Sequence, residues 1–512
     1  MSRYACGMER SSGGASVLVL DIDSRKVVYR NMFSYDDAFG DRYDIHGGVL
    51  RSDSGERHAP QRMLLEAQQA LFDRMKGDGF DIPEIVVYKE DDMQHALAFT
   101  RRSTRGLERT LRNLDPGRTL AEQIGPHFSR ETTHIWEDRT TGDEVAYLNE
   151  KLQPYGGMVA LTGNPAELRF PAAQLLKWIR ERPEEYMHTG LIQPLSAFGT
   201  SVLAGKVAPV DTGDGWGTNM NTMNINNPGW CRTITDLIDP ALIEKLCGMT
   251  HYDTRIGNIS RYFVERYGAD PDAYVLAGTG DNPAYLLPFF ISAGTSWTVN
   301  GGLPGVARSN GEDNVFGCRP GRAMSLVCFT NGGRLHREFR DRYAGGSWDR
   351  YHELAAVPYP GVNIMLPYLL DESVPRRKAG IVRDGFDDSD GSANIRALYD
   401  SQVLAARLHS KHMNIPPEIW VVGGGGKSPV LRQTVADVFG KPVKTLQESE
   451  FAAVLGNAMA GAADFLNIPY EDAIAQYAAE MPNSRTEPMP QNAAQYREAL
   501  ARYAELEKRA IA

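Results

Sequence analysis

A chain of 512 residues, 42% hydrophobic and 23% charged, is long enough for about two to four domains of ordinary size. Its 55 Lys and Arg against 65 Asp and Glu leave a net charge of -10, which offers no positive footprint to nucleic acid or anionic lipid. No apolar run approaches the ~20 residues of a bilayer span, and the N-terminus, with Arg3, Glu9 and Arg10 around a Ser/Gly cluster, lacks the apolar stretch of a signal peptide. The expectation is a soluble cytoplasmic protein with neither nucleic-acid nor membrane partners.

Ala15 to Ile22 is apolar and β-branched, Asp23-Ser24-Arg25 signals a turn, and Val27 to Phe33 returns, which predicts a hairpin after the Ser/Gly loop. Arg62 to Met75 carries Met63, Leu64, Ala67, Leu71 and Met75 at helical spacing, and Ile85 to Tyr88 predicts a strand ending before the polar segment Lys89 to His95. Further helices are predicted over 171–182, 240–247, 258–267 and 395–413. The tail, 491–512, reads as a solvated surface helix without a function of its own. Strands alternating with helices indicate an α/β architecture. The five cysteines, at 6, 231, 247, 318 and 328, show neither CxxC spacing nor histidines at zinc-site intervals, so neither disulfides nor zinc are expected.

One motif is echoed. A Ser-Ser-Gly-Gly loop begins at Ser11 beside a strand, and Ser292-Ala293-Gly294-Thr295-Ser296 precedes a β-rich stretch from Trp297 to Asn300. Two halves built alike would set two phosphate-sized turns across one cleft. Val421 to Pro429 contains four consecutive glycines followed by Lys427 and Ser428, a backbone that a flat or charged ligand can approach closely. It is neither a Walker A loop, which would need glycine where Val421 stands, nor a GxGxxG fingerprint, which would need a small apolar residue where Ser428 stands. Asp214 lies among glycines in Asp211 to Asn219, where a turn former and a carboxylate offered to a substrate hydroxyl are both readable. Asp281-Asn282 follows a strand-like Tyr274 to Leu276, and an adjacent carboxylate and amide suit vicinal hydroxyls.

In succession these segments resemble the FGGY family of carbohydrate kinases over residues ~4 to 470. The resemblance implies a duplicated ribonuclease-H-like (actin-like ATPase) α/β fold, two domains around a central cleft. It divides the chain into 1–286 (sugar binding and catalytic aspartate), 287–470 (nucleotide binding) and a helical extension, 471–512. Ile135 to Asp138, Leu161 to Gly163 with Arg169-Phe170, Pro183 to Thr189 and Ser401 to His409 are most similar to the family's larger xylulose kinases. The implied activity is ATP-dependent phosphorylation of a ketose, D-xylulose first, with ribulose, glycerol or catalytically impaired sugar binding as alternatives. Asp214 would be the general base. His95, Arg169, Asp281 and Asn282 would hold the sugar. Ser11, Ser12, Gly294, Thr295, Ser296, Gly424, Gly425, Gly426, Lys427 and Ser428 would hold ATP, and Glu9 with Asp214 would hold Mg2+. A homodimer is the expected assembly.

The departures concentrate at the N-terminus. Glu9 stands where the family has aspartate, Arg10 adds a cation, and Lys89-Glu90-Asp91-Asp92 replaces a small Ser/Gly stretch. Four ionisable residues beside a buried cleft are costly unless solvated or paired. The expectation is either a more open cleft edge or a partial loss of chemistry.

Overall fold

The computed structural model describes residues 2–511 except 51, 53, 295, 307, 320 and 358; for residue 511 only the backbone is described. The chain opens with β1 (Tyr4–Arg10), β2 (Gly14–Asp21) and β3 (Lys26–Ser34), an antiparallel meander. β2 is buried along most of its length, whereas β3 alternates between exposed and partly exposed residues, the pattern of an edge strand. Helix α1 (Gln61–Gly77) buries Met63, Leu64, Ala67, Leu71 and Met75 and ends with Arg74 and Lys76 near its carbonyl terminus, where cations are favoured. β4 (Ile85–Asp92) then pairs parallel to β1. The polar residues from Lys89 to Asp92 continue this strand rather than ending it, because each finds a partner opposite in β1, from Gly7–Lys89 to Arg10–Asp92.

Helix α2 (Leu195–Ala204) packs on this sheet, and a single helical turn, α3 (Thr212–Gly215), carries Asp214. Strands β5 (Arg255–Asn258), β6 (Tyr274–Leu276) and β7 (Thr279–Gly280) complete the seven-stranded sheet, in the order β5-β6-β4-β1-β2-β3 with β7 also on β4. The segment expected as a helix from residue 258 is still in β5 at that residue, and its helix runs only over Arg261–Tyr267.

The second sheet repeats the plan. Strands β8 (Phe289–Ala293), β9 (Trp297–Gly302), β10 (Asn314–Gly317), β11 (Ala323–Phe329), β12 (Ile419–Val422) and β13 (Val443–Thr445) lie in the order β10-β11-β9-β8-β12-β13. In both sheets three antiparallel strands are followed by two parallel ones on the far side of the first: β3-β2-β1-β4-β6 and β11-β9-β8-β12-β13. This is the duplicated ribonuclease-H-like fold.

Helix α4 (Gly391–His409) and helix α5 (Pro429–Phe439) pack in the second half, while α6 (Ala452–Leu466) crosses to lie on β1, β2 and β4. Its small residues permit this closeness: a Cβ at Gly456 would come within 1.9 Å of the Ala284 carbonyl oxygen. A shared core of Ala5, Val87, Phe290, Trp420, Val454 and Leu455 ties the halves together. The terminal helix α7 (Ala493–Ile511) is docked rather than merely solvated: Tyr496, Ala499 and Tyr503 are buried, and the Tyr496 hydroxyl donates to Asp400 at 2.8 Å. No described helix is long and apolar enough to cross a membrane.

Candidate active site

The carboxyl ends of β1, β4 and β7 in one sheet and of β8 and β12 in the other carry the candidate residues apart from Asp214, which sits on α3, and Arg169, which sits in the loop before the helix that begins at Pro171. Asp211 caps α3 by accepting the Asp214 backbone N–H at 2.8 Å, which fixes the turn. Asp214 is 1% exposed. Its Oδ2 accepts from Ser196 Oγ at 2.6 Å and its Oδ1 from Gln94 Nε2 at 3.3 Å. Burial drives its pKa well above the usual carboxylate range; the Ser196 hydrogen bond opposes this, while Asp211, Asp92 and Asp281 add to it. Such a carboxylate is a stronger base than a solvated one once its proton is removed. Asp211 is itself pushed up to about 6 by burial, with Lys89 pulling the other way.

His95, Arg169, Asp281 and Asn282 line one cavity of about 150 Å3 together with Gln94, Trp136 and Ser296. The wall therefore joins the four residues expected to hold a sugar to a member of the second phosphate turn. His95 is held at φ 75, and its Nδ1 lies 2.6 Å from the Gly217 carbonyl oxygen. A carbonyl only accepts, so Nδ1 carries the proton and Nε2 is left as an acceptor. The ring stacks on Phe170 at 4.2 Å, and burial, then Arg169, lowers its pKa well below the ordinary value, so the imidazole is neutral. Arg169 donates to Asn314 Oδ1 at 2.6 Å while its Nε is buried without a partner among the described residues. Asn282 donates to Asp281 Oδ1 at 2.7 Å, and Asp281 is raised to about 7 by burial first and Glu9 second. Asp214 itself does not line this cavity; it stands behind Gln94, whose Nε2 also bonds the Gly213 carbonyl at 3.0 Å.

Sequence reasoning assigned no role to Gln94 or Ser196; Ser196 belongs to no motif and meets Asp214 only through the fold. Gly280 shows how tightly Gln94 is seated, since a Cβ there would lie 1.9 Å from Gln94 Oε1.

The cleft edge is buried at this segment rather than open. Lys89, Glu90, Asp91, Asp92 and Arg10 are all no more than 1% exposed. Alternation along β1 and β4 sorts them onto two faces. On one, Arg10 Nε and Nη2 grip Asp92 at 2.7 and 2.8 Å, with Glu90 at 3.8 Å, and Gln68 donates to Glu90 at 2.9 Å. On the other, Lys89 Nζ donates to the carbonyls of Ala277 and Tyr252 at 2.5 and 2.9 Å and lies 3.8 Å from the Tyr252 ring centre. Burial lowers its pKa to about 8. Asp91 accepts from Asn457 of α6 at 2.5 Å. Pairing, not solvent, accommodates these charges.

Glu9 accepts from Ser16 at 2.9 Å, and burial raises its pKa. It sits opposite Asp91 in the ladder, whose Oδ1 is buried without a partner among the described residues and whose pKa is raised by burial and then by Glu9 and Asp281. Burial favours the protonated form of these carboxyls, and a cation bound beside them would shift them back toward the ionised form. No three ligating side chains among the described residues are arranged to hold a metal by themselves.

Ser11 Oγ donates to the Gly14 carbonyl at 3.0 Å, and Ser12 Oγ accepts from Trp136 Nε1 at 2.8 Å, so both belong to the β1–β2 turn at the cleft. Thr295 lies outside the described residues. Gly423, at φ 80, turns the chain at the end of β12; a Cβ there would meet Ala293 O at 3.1 Å and Gly294 N at 3.4 Å, so the four-glycine bend abuts the second phosphate turn. Gly424 has open space beside it, and Gly425 and Gly426 are packed against Ala293 and Thr445. Ser428 caps α5, and Lys427 reaches outward to Glu450 at 2.9 Å.

Residues 321–465 match the model of the FGGY family of carbohydrate kinases, C-terminal domain. A xylulose kinase of Rattus norvegicus is 29% identical over 540 residues, covering 99% of this chain and 97% of the relative. A probable D-xylulose kinase A of Aspergillus terreus is 27% identical over 506 residues, covering 88% of this chain and 87% of the relative. Among solved structures, ligand-bound xylulose kinase from Lactobacillus acidophilus superposes with a TM-score of 0.80 at 19% identity, over 100% of this chain and 99% of that one.

Proposed function

Because the chain belongs to the FGGY family of carbohydrate kinases and phosphorylates a sugar with ATP, we propose that its acceptor is D-xylulose and that Asp214 receives the proton of the attacking hydroxyl. The observation carrying this reading is the single cavity that brings His95, Arg169, Asp281 and Asn282 together with Ser296, one hydrogen bond from Asp214. Residues 1–286 supply the acceptor side and 287–470 the nucleotide side.

In phosphoryl transfer the protein contributes mainly position and charge neutralisation. Neutral His95 offers Nε2 to a sugar hydroxyl, Arg169 donates, and Asp281 with Asn282 brackets a vicinal pair. The new hydroxyl displaces Gln94 Nε2 from Asp214, and Ser196 keeps the carboxylate aimed while the proton arrives. Backbone N–H groups at Gly294 and Ser296, with Ser11 and Ser12 from the other half, hold phosphate oxygens, and the glycines from 424 to 426 let the nucleoside lie against the backbone. Glu9, with Asp91 and Asp281 beside it and Asp214 at the acceptor, would hold Mg2+. When bound, the ion neutralises charge on the β- and γ-phosphates.

The test is ADP release with D-xylulose, D-ribulose, L-ribulose and glycerol at saturating Mg2+ and ATP. The expected result is highest kcat/KM for D-xylulose, with product carrying one phosphate on its terminal hydroxyl. Faster turnover of another acceptor would replace the substrate, and melting shifts with no ADP above background would replace catalysis by sugar binding.

A further inference from the structure

A second cavity, of about 290 Å3, adjoins the first and shares Arg169, Leu326 and Cys328 with it; its charged lining is Arg139, Glu167, Arg169, Glu312, Glu372 and Arg376. We propose that it is a subsite for a compact oxyanion, a carboxylate or phosphate borne by a polyhydroxy chain whose neutral part occupies the smaller cavity. The inference rests on reading that smaller cavity as the acceptor site.

Formal charges on the wall balance, but the free hydrogen-bonding capacity does not. Each carboxylate is already engaged. Glu372 accepts from the backbone N–H groups of Thr330 (2.6 Å), Asn331 (3.2 Å) and Ser373 (2.7 Å) and from Asn331 Nδ2 at 3.0 Å. Glu312 pairs with His409 at 2.9 Å, and that contact helps raise the histidine's pKa to about 9, against the downward push of burial. Glu167 faces Arg376 at 3.7 Å and Asn314 Nδ2 at 3.5 Å.

The unspent groups are donors. Arg139 is exposed on the cavity side and has no hydrogen-bond or ion-pair partner among the described residues. Arg169 commits Nη2 to Asn314 and makes a further hydrogen bond to the Cys328 thiol, yet leaves Nε buried without a partner among the described residues. Both guanidiniums act on the shared Cys328 thiol: burial pushes its pKa up, Arg169 pulls it back first, Glu372 opposes and Arg139 pulls again. Two planar forks with open N–H groups bind carboxylate or phosphate oxygens better than hydroxyls, because charge assistance roughly doubles each bond. A buried orphan donor is itself unfavourable until a ligand satisfies it.

The experiment compares D-xylulose with the aldonates D-xylonate and D-gluconate as acceptors for ADP release, and measures binding of D-xylulose 5-phosphate and of inorganic phosphate by calorimetry. Wild type, Arg139→Ala and Arg139→Lys are used, with melting temperatures recorded to verify folding. The expected result is that at least one anionic polyol binds or is turned over. In Arg139→Ala its affinity or kcat/KM, taken relative to that of D-xylulose, should fall roughly tenfold or more, with partial rescue in Arg139→Lys. A response to aldonates alone assigns a carboxylate, and one to D-xylulose 5-phosphate and inorganic phosphate assigns a phosphate. Turnover of D-xylulose with no anionic compound bound in any variant, or an unchanged ratio in Arg139→Ala, overturns the subsite while leaving the acceptor reading intact. An aldonate turned over where D-xylulose is not would instead overturn the acceptor identity and keep the subsite.

Discussion

Replacing Arg10 with leucine tests whether the charges that replace small residues at the cleft edge form one interlocked unit. The guanidinium is 1% exposed and meets Asp92 twice, at 2.7 and 2.8 Å, with Glu90 at 3.8 Å and the Leu64 carbonyl at 3.3 Å. Arg10→Leu leaves two buried carboxylates, of which Glu90 retains Gln68 and Asp92 retains no cation. Breaking a buried pair by removing one partner costs about 3–5 kcal/mol, a large share of a total stability of about 5–15 kcal/mol. Adding Asp92→Asn removes one stranded charge and should return about 0.5–3 kcal/mol, the usual coupling of contacting residues. The penalty should also depend on pH. Burial raises the folded-state pKa of both Glu90 and Asp92 above the unfolded value, and Arg10 restrains that rise. Without Arg10 both go higher, so the variant is stabilised by protonation as pH falls and its deficit is smaller at pH 5 than at pH 8. Urea unfolding followed by tryptophan fluorescence at both pH values measures this. A deficit under about 1 kcal/mol at pH 8, or one that does not shrink at pH 5, would refute the reasoning.

Three further outcomes are expected. Glu9→Gln should raise the Mg2+ concentration for half-maximal ADP release severalfold without lowering the melting temperature, because it removes one of three mutually repelling carboxyls, with Asp91 and Asp281; a lower melting temperature with unchanged Mg2+ dependence would contradict it. Gly280→Ala places a Cβ 1.9 Å from Gln94 Oε1 and should lower kcat/KM roughly tenfold or more by displacing Gln94 from Asp214. Gly424→Ala meets nothing within 4 Å, so its melting temperature should hold while KM for ATP rises several-fold if the nucleoside lies on that backbone.

Much of this was readable in the chain. The alternation of β3, the helical spacing of α1 and the glycine bend before α5 are local patterns, and local patterns survive folding. Asp281 and Asn282 were readable as an adjacent carboxylate and amide, whereas His95 and Arg169, which line the same cavity, were reached only through the family resemblance. What was not readable depends on pairings between distant segments. Lys89 to Asp92 looked like a polar loop because its partners, Arg10, Asn457 and the carbonyls of Tyr252 and Ala277, come from four other places in the chain. Ser196 acquires its meaning only when α2 brings it to Asp214. The tail helix looked solvated because its polar residues outnumber the few, Tyr496, Ala499 and Tyr503, that dock it.

The most direct measurement is single-turnover phosphate transfer to D-xylulose by Asp214→Asn, alongside calorimetric binding of the ketose to the same variant. Asparagine keeps the shape and the Ser196 contact but cannot take a proton. Ketose affinity should stay within about threefold of wild type while the transfer rate falls roughly 10^2- to 10^4-fold. A transfer rate within about tenfold of wild type would mean that the carboxylate at 214 does not serve the reacting hydroxyl.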